Sequence, residues 1–392
     1  MNNHNILTYF FKKINKKALG FKKDNKWYWL SNEHIIKNVN AAKNVLSNLS
    51  ITKGDRVAYQ GKNSPEWLYW NMAVQSKGAI WTPMLDNQSR EYGQYIVNNC
   101  NPKITITNDI DYINTINIRN YINSDNSVNG KTITIENTDK DDISTLIYTS
   151  GTTSNPKGVM LTHNNLISNI KSFESRFSDI THKTTSLSIL PWTHNYSLIT
   201  DLYYNLYKNN SIVLSSDKTT FIQECGEISP NILYASSQIL DLIKSKFDKY
   251  NVPLFKHVIP QLLRNILGNN IIHIFIIDTT LTDSTKFFFI NNGIKICEGY
   301  GIAEISSIIS INHHIYPRIN HSMGKILDDI LVDIVDNEIQ VSGPNIMEGY
   351  WNEPIQPSEV LINRNNKLWY KTGDSGYIKN DFLYYTGRIN KK

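Results

Sequence analysis

The run "LIYTSGTTSNPKGVML", Leu146 to Leu161, gathers five hydroxyl side chains around Gly151: Thr149, Ser150, Thr152, Thr153 and Ser154. Lys157 follows them. Hydroxyls and backbone N–H groups at that density make a concavity suited to an anion, and the lysine adds a point charge. The chemistry on offer is phosphate binding. The run is not the Walker pattern, because Pro156 stands where that pattern has its second glycine and Gly158 where it has Ser or Thr. Four more stretches stand out by their residue types. "LSILPWTHNYSLITDLYY" (187–204) carries Trp192 and His194. "EGYGIAE" (298–304) carries Gly299, Tyr300, Gly301, Ala303 and Glu304. "YKTGDSGYI" (370–378) centres on Asp374, and "YTGRINKK" (385–392) carries Arg388.

The elements that must position these residues alternate. "RVAYQGKNSPEWLYWNMAVQSKGAIWTPM" reads as strand, turn, helix, strand, with Ser64 as N-cap, Pro65 at N1, Glu66 complementing the helix dipole and Gly78 ending the helix. "PKITITN" and "GKTITIEN" (130–137) read as strands. "TTSLSILP", "NSIVLSS", "IIHIFIID" and "IKICEGYG" are strand-like, and "SSQILDLIKSKFDKY" and "TDSTKFFFINNG" are helical. From about 322 the texture changes to short strands punctuated by Gly, Asn and Asp, an antiparallel pattern. The expected fold class is therefore α/β: two α/β lobes with largely parallel sheets, over 1–185 and 186–321, and a C-terminal antiparallel β lobe over 322–392. At the N-terminus, Ile6, Leu7, Phe10, Phe11 and Ile14 recur at roughly helical spacing with lysines between them. The first reading is a surface helix packing one face. The second is peripheral membrane contact through aromatics and lysines.

The chain has 392 residues, 40% of them hydrophobic, enough for a large core in more than one lobe. A net charge of +5 suits anionic ligands or a membrane surface and does not indicate nucleic acid. Three scattered cysteines, Cys100, Cys225 and Cys297, argue against a disulfide framework and for a reducing compartment. No run approaches the ~18 apolar residues of a membrane span, and "MNNHNILTYF" lacks the apolar core of a signal peptide. The expected location is cytoplasmic.

The phosphate loop "YTSGTTSNPKGVMLTH" resembles the signature loop of the AMP-forming adenylating enzymes: acyl-CoA synthetases, firefly luciferase and peptide-synthetase adenylation domains. "EGYGIAE", "YKTGDSGYI" and "YTGRINKK" are similar, in order, to that family's G-Y-G-x-T-E, Y-x-T-G-D and G-R-x-K motifs, and "KGDRVAYQGKNSPEW" and "VSGPNIMEGYW" fit between them. The resemblance implies ATP-dependent activation of a carboxylic acid, with ATP and Mg2+ bound and CoA as acceptor. It implies that 149–158 holds the β- and γ-phosphates, with Thr152 and Glu304 toward Mg2+. Tyr300, within Gly299–Gly301, would stack on adenine, Asp374 would take the ribose hydroxyls, and Arg388 would lie near the ribose and the hinge. Lys157, Glu304 and His194 are the implied catalytic residues. Trp192 and His194 fall in a segment resembling the L-P-x-x-H stretch of long-chain enzymes, at the mouth of an acyl tunnel. The string around them lacks the Asp with which amino-acid-activating relatives bind an α-ammonium, and Asp201 comes later, so a fatty acid is the expected substrate.

Three departures accompany the resemblance. Ser154 replaces a family Gly, Ala303 replaces a Thr, and Asp278-Thr279-Thr280-Leu281 replaces an adenine-facing Gly-Gly-Ala-Pro. The chain stops at Lys392, at the hinge, so the expectation is the large N-terminal domain alone, with thioester formation needing a C-terminal domain. The alternatives are a fatty acyl-AMP ligase serving a carrier protein and a degenerate nucleotide- or acyl-binding protein.

Overall fold

Ser64 accepts a hydrogen bond from the Trp67 N–H, Pro65 needs no donor at N1, and Glu66 lies in the first turn, so a helix runs over Pro65–Ser76. Its end is marked by Gly78 at φ +64°. The same logic opens the helix His163–Arg176, where Thr162 and Asn165 form a reciprocal capping box. These details come from a computed structural model that describes residues 4–108, 112, 114–119, 131–149, 156–181, 183–247, 257–276, 281–313, 319, 321–353 and 360–389.

Two sheets organise the described residues. In the smaller, Ile80–Met84 lies between Arg56–Gln60 and Ile143–Thr149, with Ile104–Ile106 and Thr115–Ile116 beyond; all these pairs are parallel. Lys157–Thr162 and then Gly349–Tyr350 add antiparallel edges. The larger sheet has a parallel half, Ile296–Tyr300, His273–Ile276, Ile232–Tyr234, Thr185–Ser188, Ser211–Leu214 and Leu19–Lys23. Its other half is antiparallel and includes Leu331–Val335, Glu338–Ser342, Lys367–Lys379 and Phe382–Arg388. The α/β class with a C-terminal antiparallel region is thus observed. Sheet membership crosses the expected lobe boundaries, however. Leu19–Lys23 and Lys26–Leu30 extend the larger sheet, Gly349–Tyr350 extends the smaller, and Ser310–Ile311 joins the antiparallel strands to the parallel ones.

Aromatic side chains fill the space between layers. Trp67 meets Trp81 edge-on at 5.1 Å and Trp192 at 5.3 Å, and Tyr59 lies 5.2 Å from Trp81. This cluster ties the smaller sheet and the Pro65–Ser76 helix to the 187–204 segment.

Two expectations of regular structure are corrected. No helix runs through 4–17. A single 3-10 turn, Ile6–Tyr9, is capped by Asn5, and Ile6, Leu7 and Phe10 are buried in the core. Asn5 donates to the Gln75 carbonyl, and the Ile6 N–H donates to Nδ1 of His163, a buried imidazole pushed down to about 4 by desolvation. Ile6, Leu7 and Phe10, three of the five apolar residues that suggested an amphipathic helix, are an anchor driven into the protein, so those three cannot meet a membrane. Nor is 131–137 a strand. Its backbone is taken by the neighbouring helices: Asn40 Nδ2 donates to Thr132 O, Lys43 Nζ to Thr134 O and the Glu136 N–H to Ser76 O. Side chains and turns have met the hydrogen-bonding needs that a sheet would have met. Among the described residues no helix is long and apolar enough to cross a membrane.

Candidate active site

The loop expected to hold phosphate connects two antiparallel strands, Ile143–Thr149 and Lys157–Thr162, with Thr149 opposite Lys157. The described elements flanking it are two paired strands, not the strand and helix that flank a Walker loop. Ser150, Gly151, Thr152, Thr153 and Ser154 lie outside the described residues, as do Asp278, Thr279 and Thr280.

Lys157 is drawn into a chain of contacts that begins on Gly349–Tyr350. That strand pairs with the lysine's own strand, Tyr350 opposite Val159, and the Trp351 N–H donates to Gly158 O at 2.7 Å. Gly158 keeps this approach uncrowded, since a Cβ would meet the Tyr148 ring at 3.0 Å and Trp351 Cβ at 3.2 Å. The pairing sets Lys157 Nζ 4.7 Å from the centre of the Tyr350 ring and 2.7 Å from Glu353 Oε2. The Tyr350 hydroxyl then donates to Glu304 Oε1 at 2.9 Å, with the Tyr370 hydroxyl 3.4 Å away. Burial first, then Glu304, pushes the Tyr350 phenol well above its usual range, so it stays a donor.

Glu304 sits on the short 3-10 turn Ala303–Ile305 just beyond the strand Ile296–Tyr300. The Met347 N–H donates to Glu304 O at 2.8 Å, and Asn345 donates to Ile305 O, so the turn is clamped by the segment that leads into Gly349. Asn195 donates to Ala303 O at 3.3 Å, which brings the 187–204 segment to the same turn.

The second half of the site is built on the antiparallel strands. Asp374 faces Arg388 across the Lys367–Lys379 and Phe382–Arg388 pair. Its Oδ1 is 3.0 Å from Arg388 Nη1, and its Oδ2 accepts from the Tyr300 hydroxyl at 2.5 Å. Gly373, at φ +71°, makes the kink before it, and the Gly373 N–H donates to Glu338. The Tyr300 ring stacks on Tyr385, centroids 5.8 Å apart. Asp374 is buried whereas Arg388 is mostly exposed, so a diol reaching this carboxylate would exchange first with the arginine.

The expected residues thus fall into two joined groups: Lys157 with Glu304, and Tyr300 with Asp374 and Arg388. Gly299 and Gly301 supply the backbone between Tyr300 and Glu304. His194 adjoins Asn195 and keeps an exposed edge, while the protein around the ring lowers its imidazole pKa by desolvation. Trp192 is corrected. It has no accessible surface, packs on Trp67 and donates through Nε1 to Asp201 at 3.2 Å, so it belongs to the core and lines no open passage. Tyr350, Glu353 and Asn195 were not expected. Tyr350 is far in sequence from both Lys157 and Glu304, and no local pattern marks it.

Among the described residues no three His, Cys, Asp or Glu side chains converge on a metal-sized site. One oxygen of Glu304 accepts from Tyr350, and its other oxygen has no protein partner there. A lone half-exposed carboxylate of this kind fits Mg2+, which takes one or two protein carboxylates together with nucleotide phosphates.

A family model described as AMP-binding enzyme matches residues 11–351. A long-chain-fatty-acid–CoA ligase of Macaca fascicularis is 24% identical over 458 residues, covering 95% of this chain and 62% of that protein. A long-chain-fatty-acid–CoA ligase of Bacillus subtilis is 26% identical over 292 residues, covering 70% and 49%. The chain therefore spans less than two thirds of the length of these curated relatives. Among solved structures, ATP-bound MatB from Rhodopseudomonas palustris superposes with a TM-score of 0.84 at 20% identity, covering 99% of this chain and 79% of that one. The N-terminal domain of FACL13 from Mycobacterium tuberculosis gives 0.80 at 19% identity, covering 99% and 100%. At these identities the likeness is one of fold.

Proposed function

Because the chain belongs to the AMP-binding enzyme family, we propose that it carries the adenylation step of an ATP-dependent acid activation, with a fatty acid as substrate and CoA as the eventual acceptor. In that step a carboxylate oxygen bonds to the α-phosphorus of ATP, the bond from that phosphorus to the bridging oxygen breaks, and pyrophosphate leaves with the electron pair. The observation that carries the reading is the pair of joined groups, a lysine–tyrosine–glutamate chain beside the hairpin and a tyrosine–aspartate–arginine group on the antiparallel strands. Such a pair would offer a cation to phosphates at one end and a carboxylate to ribose hydroxyls at the other. Lys157 supplies positive charge to the phosphates, and Asp374 supplies acceptors for the ribose hydroxyls. Mg2+ bound through Glu304 and the phosphates would neutralise charge on the leaving group.

The state of Asp201 supports a plain acid over an amino acid. This carboxyl is wholly buried, accepts from the Ser188 hydroxyl and Trp192, and is pushed up to about 7 by desolvation. It is ill suited to meet a substrate ammonium. In pyrophosphate exchange across a panel of acids, fatty acids are expected to respond first. A response confined to amino acids would overturn the substrate assignment.

Asp374→Ala is expected to weaken ATP binding by ~1–3 kcal/mol, the cost of losing charge-assisted bonds to a diol. Equal ATP affinity in calorimetry for Asp374→Ala and the unmodified chain would remove the ribose assignment.

Glu353 competes for Lys157 in the ligand-free protein, and phosphate must replace it. Both side chains are more than a third exposed, so their ion pair is weak. Glu353→Gln is therefore expected to tighten ATP binding about two- to five-fold. Weaker binding in the same titration would mean that Glu353 aids the nucleotide instead.

A further inference from the structure

The residues between the N-terminal anchor and the first strand read "KKINKK", Lys12 to Lys17. Lys12, Lys13, Lys16 and Lys17 are all exposed, and Ile14 between them is 79% exposed. A single exposed isoleucine is ordinary. This one is held out by its neighbours. Asn15 Nδ2 donates to the carbonyls of Asn209 and Asn210, and the Asn32 N–H donates to Asn15 O. Asn32 Nδ2 also donates to Lys13 O and to Asn209 Oδ1. These bonds fasten the backbone on both sides of Ile14, so its side chain projects from a fixed loop.

The cations around it are free of carboxylates. Among the described residues Lys12, Lys13, Lys16 and Lys17 have no ion-pair partner, whereas Lys22 is matched by Glu227 at 2.8 Å and Lys208 by Glu174 at 2.6 Å. Two of the four lie on aromatic rings: Lys12 Nζ is 5.2 Å from the Tyr9 centroid and Lys17 Nζ 5.2 Å from that of Trp29. Trp29 belongs to Lys26–Leu30, the terminal strand of the larger sheet, and lies flat over Gly20. A projecting aliphatic tip, flanked along the chain by four exposed lysines of which one lies on a tryptophan ring, has the layered chemistry of a lipid–water interface.

We propose that residues 12–17, with Trp29, form a docking surface for an anionic bilayer, Ile14 entering the interface and the four lysines meeting lipid phosphate and carboxylate groups. This surface differs from the amphipathic helix suggested by the residue spacing: no such helix forms, and Ile6, Leu7 and Phe10 of its apolar set are buried. It does not depend on the adenylation reading.

The test is flotation of the 392-residue chain with phosphatidylcholine vesicles, with and without phosphatidylserine. Binding is expected only with phosphatidylserine, and added salt should release it. Each lysine near such a surface contributes about five-fold. Replacing Lys12, Lys13, Lys16 and Lys17 together by Gln should therefore lower binding at least about ten-fold. Ile14→Asn, which changes no charge, should lower it about three- to ten-fold. Gln at Lys183, Lys295, Lys367 and Lys379, four exposed lysines elsewhere, should change it less than about two-fold. The proposal fails if the unmodified chain ignores phosphatidylserine or if the distant quartet matters equally. It also fails if duplex DNA is bound as tightly through the same lysines, which would mark a general polyanion surface.

Discussion

Gly301→Ala is expected to lower stability by ~3 kcal/mol or more and to abolish measurable nucleotide binding. A Cβ on Gly301 would lie 1.4 Å from the carbonyl oxygen of Ser307, 2.5 Å from its carbonyl carbon and 3.0 Å from Ile308 Cα. All three are backbone atoms, so no rotamer change relieves the overlap. The turn that approaches so closely is itself unusual: Ser306 and Ser307 have φ of 49° and 111°, values that non-glycine residues adopt at a cost. It is held by bonds from the Ser307 N–H to Ile302 O and from the Ile309 N–H to Tyr300 O. To admit a methyl group, the 301–305 turn and the 306–308 backbone must part by more than an ångström. Tyr300 and Glu304 stand on either side of that gap. Their bonds to Asp374 and Tyr350 would be displaced well beyond the ~0.5 Å a binding constellation tolerates. Gly226→Ala is the control. Gly226 lies in the helix Phe221–Ile228 with nothing within 4 Å of its missing Cβ, and alanine there should be neutral or stabilising by up to ~1 kcal/mol. Urea unfolding and ATP calorimetry on both variants decide the matter. A Gly301→Ala protein that unfolds and binds like the unmodified chain would show that the close approach of Ser307 is not needed.

What was legible in the residues is what depends on neighbours in sequence. Ser64, Pro65 and Glu66 announce a helix because cap, N1 and first turn are consecutive, and the helix is there. The β-like run "STLIYT" before the hydroxyl-rich residues is a strand as read, but the strand Lys157–Thr162 that follows them was not anticipated. The expected strand at 130–137 is absent over 131–137, because alternation describes any half-buried extended segment, and Asn40 and Lys43 occupy its carbonyls at Thr132 and Thr134. Trp192 looked like a site residue beside His194, but its partner Trp67 comes from a helix far earlier in the chain, and that packing makes it core. Tyr350 was invisible as a site residue. Its role arises only when Gly349–Tyr350 pairs with the strand of Lys157 while Glu304 arrives from the other sheet. Non-local pairing of this kind leaves no periodic trace.

Asp201 carries the other large expected effect, and its direction depends on pH. It lies in the π-helical segment Ser197–Tyr203, every residue of which is buried. The Ser188 hydroxyl and Trp192 Nε1–H both donate to Oδ2, while Oδ1 is buried without a hydrogen-bond partner among the described residues. Desolvation pushes the carboxyl up to about 7, against the pull of those two donors. In the unfolded chain the same group titrates near its ordinary value of 3.8. Between these values the folded state holds a proton that the unfolded state has released, so raising the pH favours unfolding. The stabilising difference is whole below about pH 4, falls through the window from about 4 to 7, and is gone above it. Asp201→Asn removes this titration. Asn can still accept from Ser188 and Trp192 but must bury an amide N–H2 that finds fewer acceptors, which offsets part of the gain. The variant is therefore expected to match or fall below the unmodified chain at pH 5 and to exceed it at pH 8. The gap between the two proteins should shift by ~1–3 kcal/mol across that range, below the ~4 kcal/mol that the full pKa difference allows. Fatty-acid-dependent pyrophosphate exchange should persist in the variant, because Asp201 is a core carboxyl and not a substrate counter-ion. Urea unfolding at pH 5 and pH 8 reads the first expectation. Parallel pH profiles for the two proteins would mean that Asp201 is ionised in the fold, with a cation beside it, and would reopen the case for a substrate ammonium at this position.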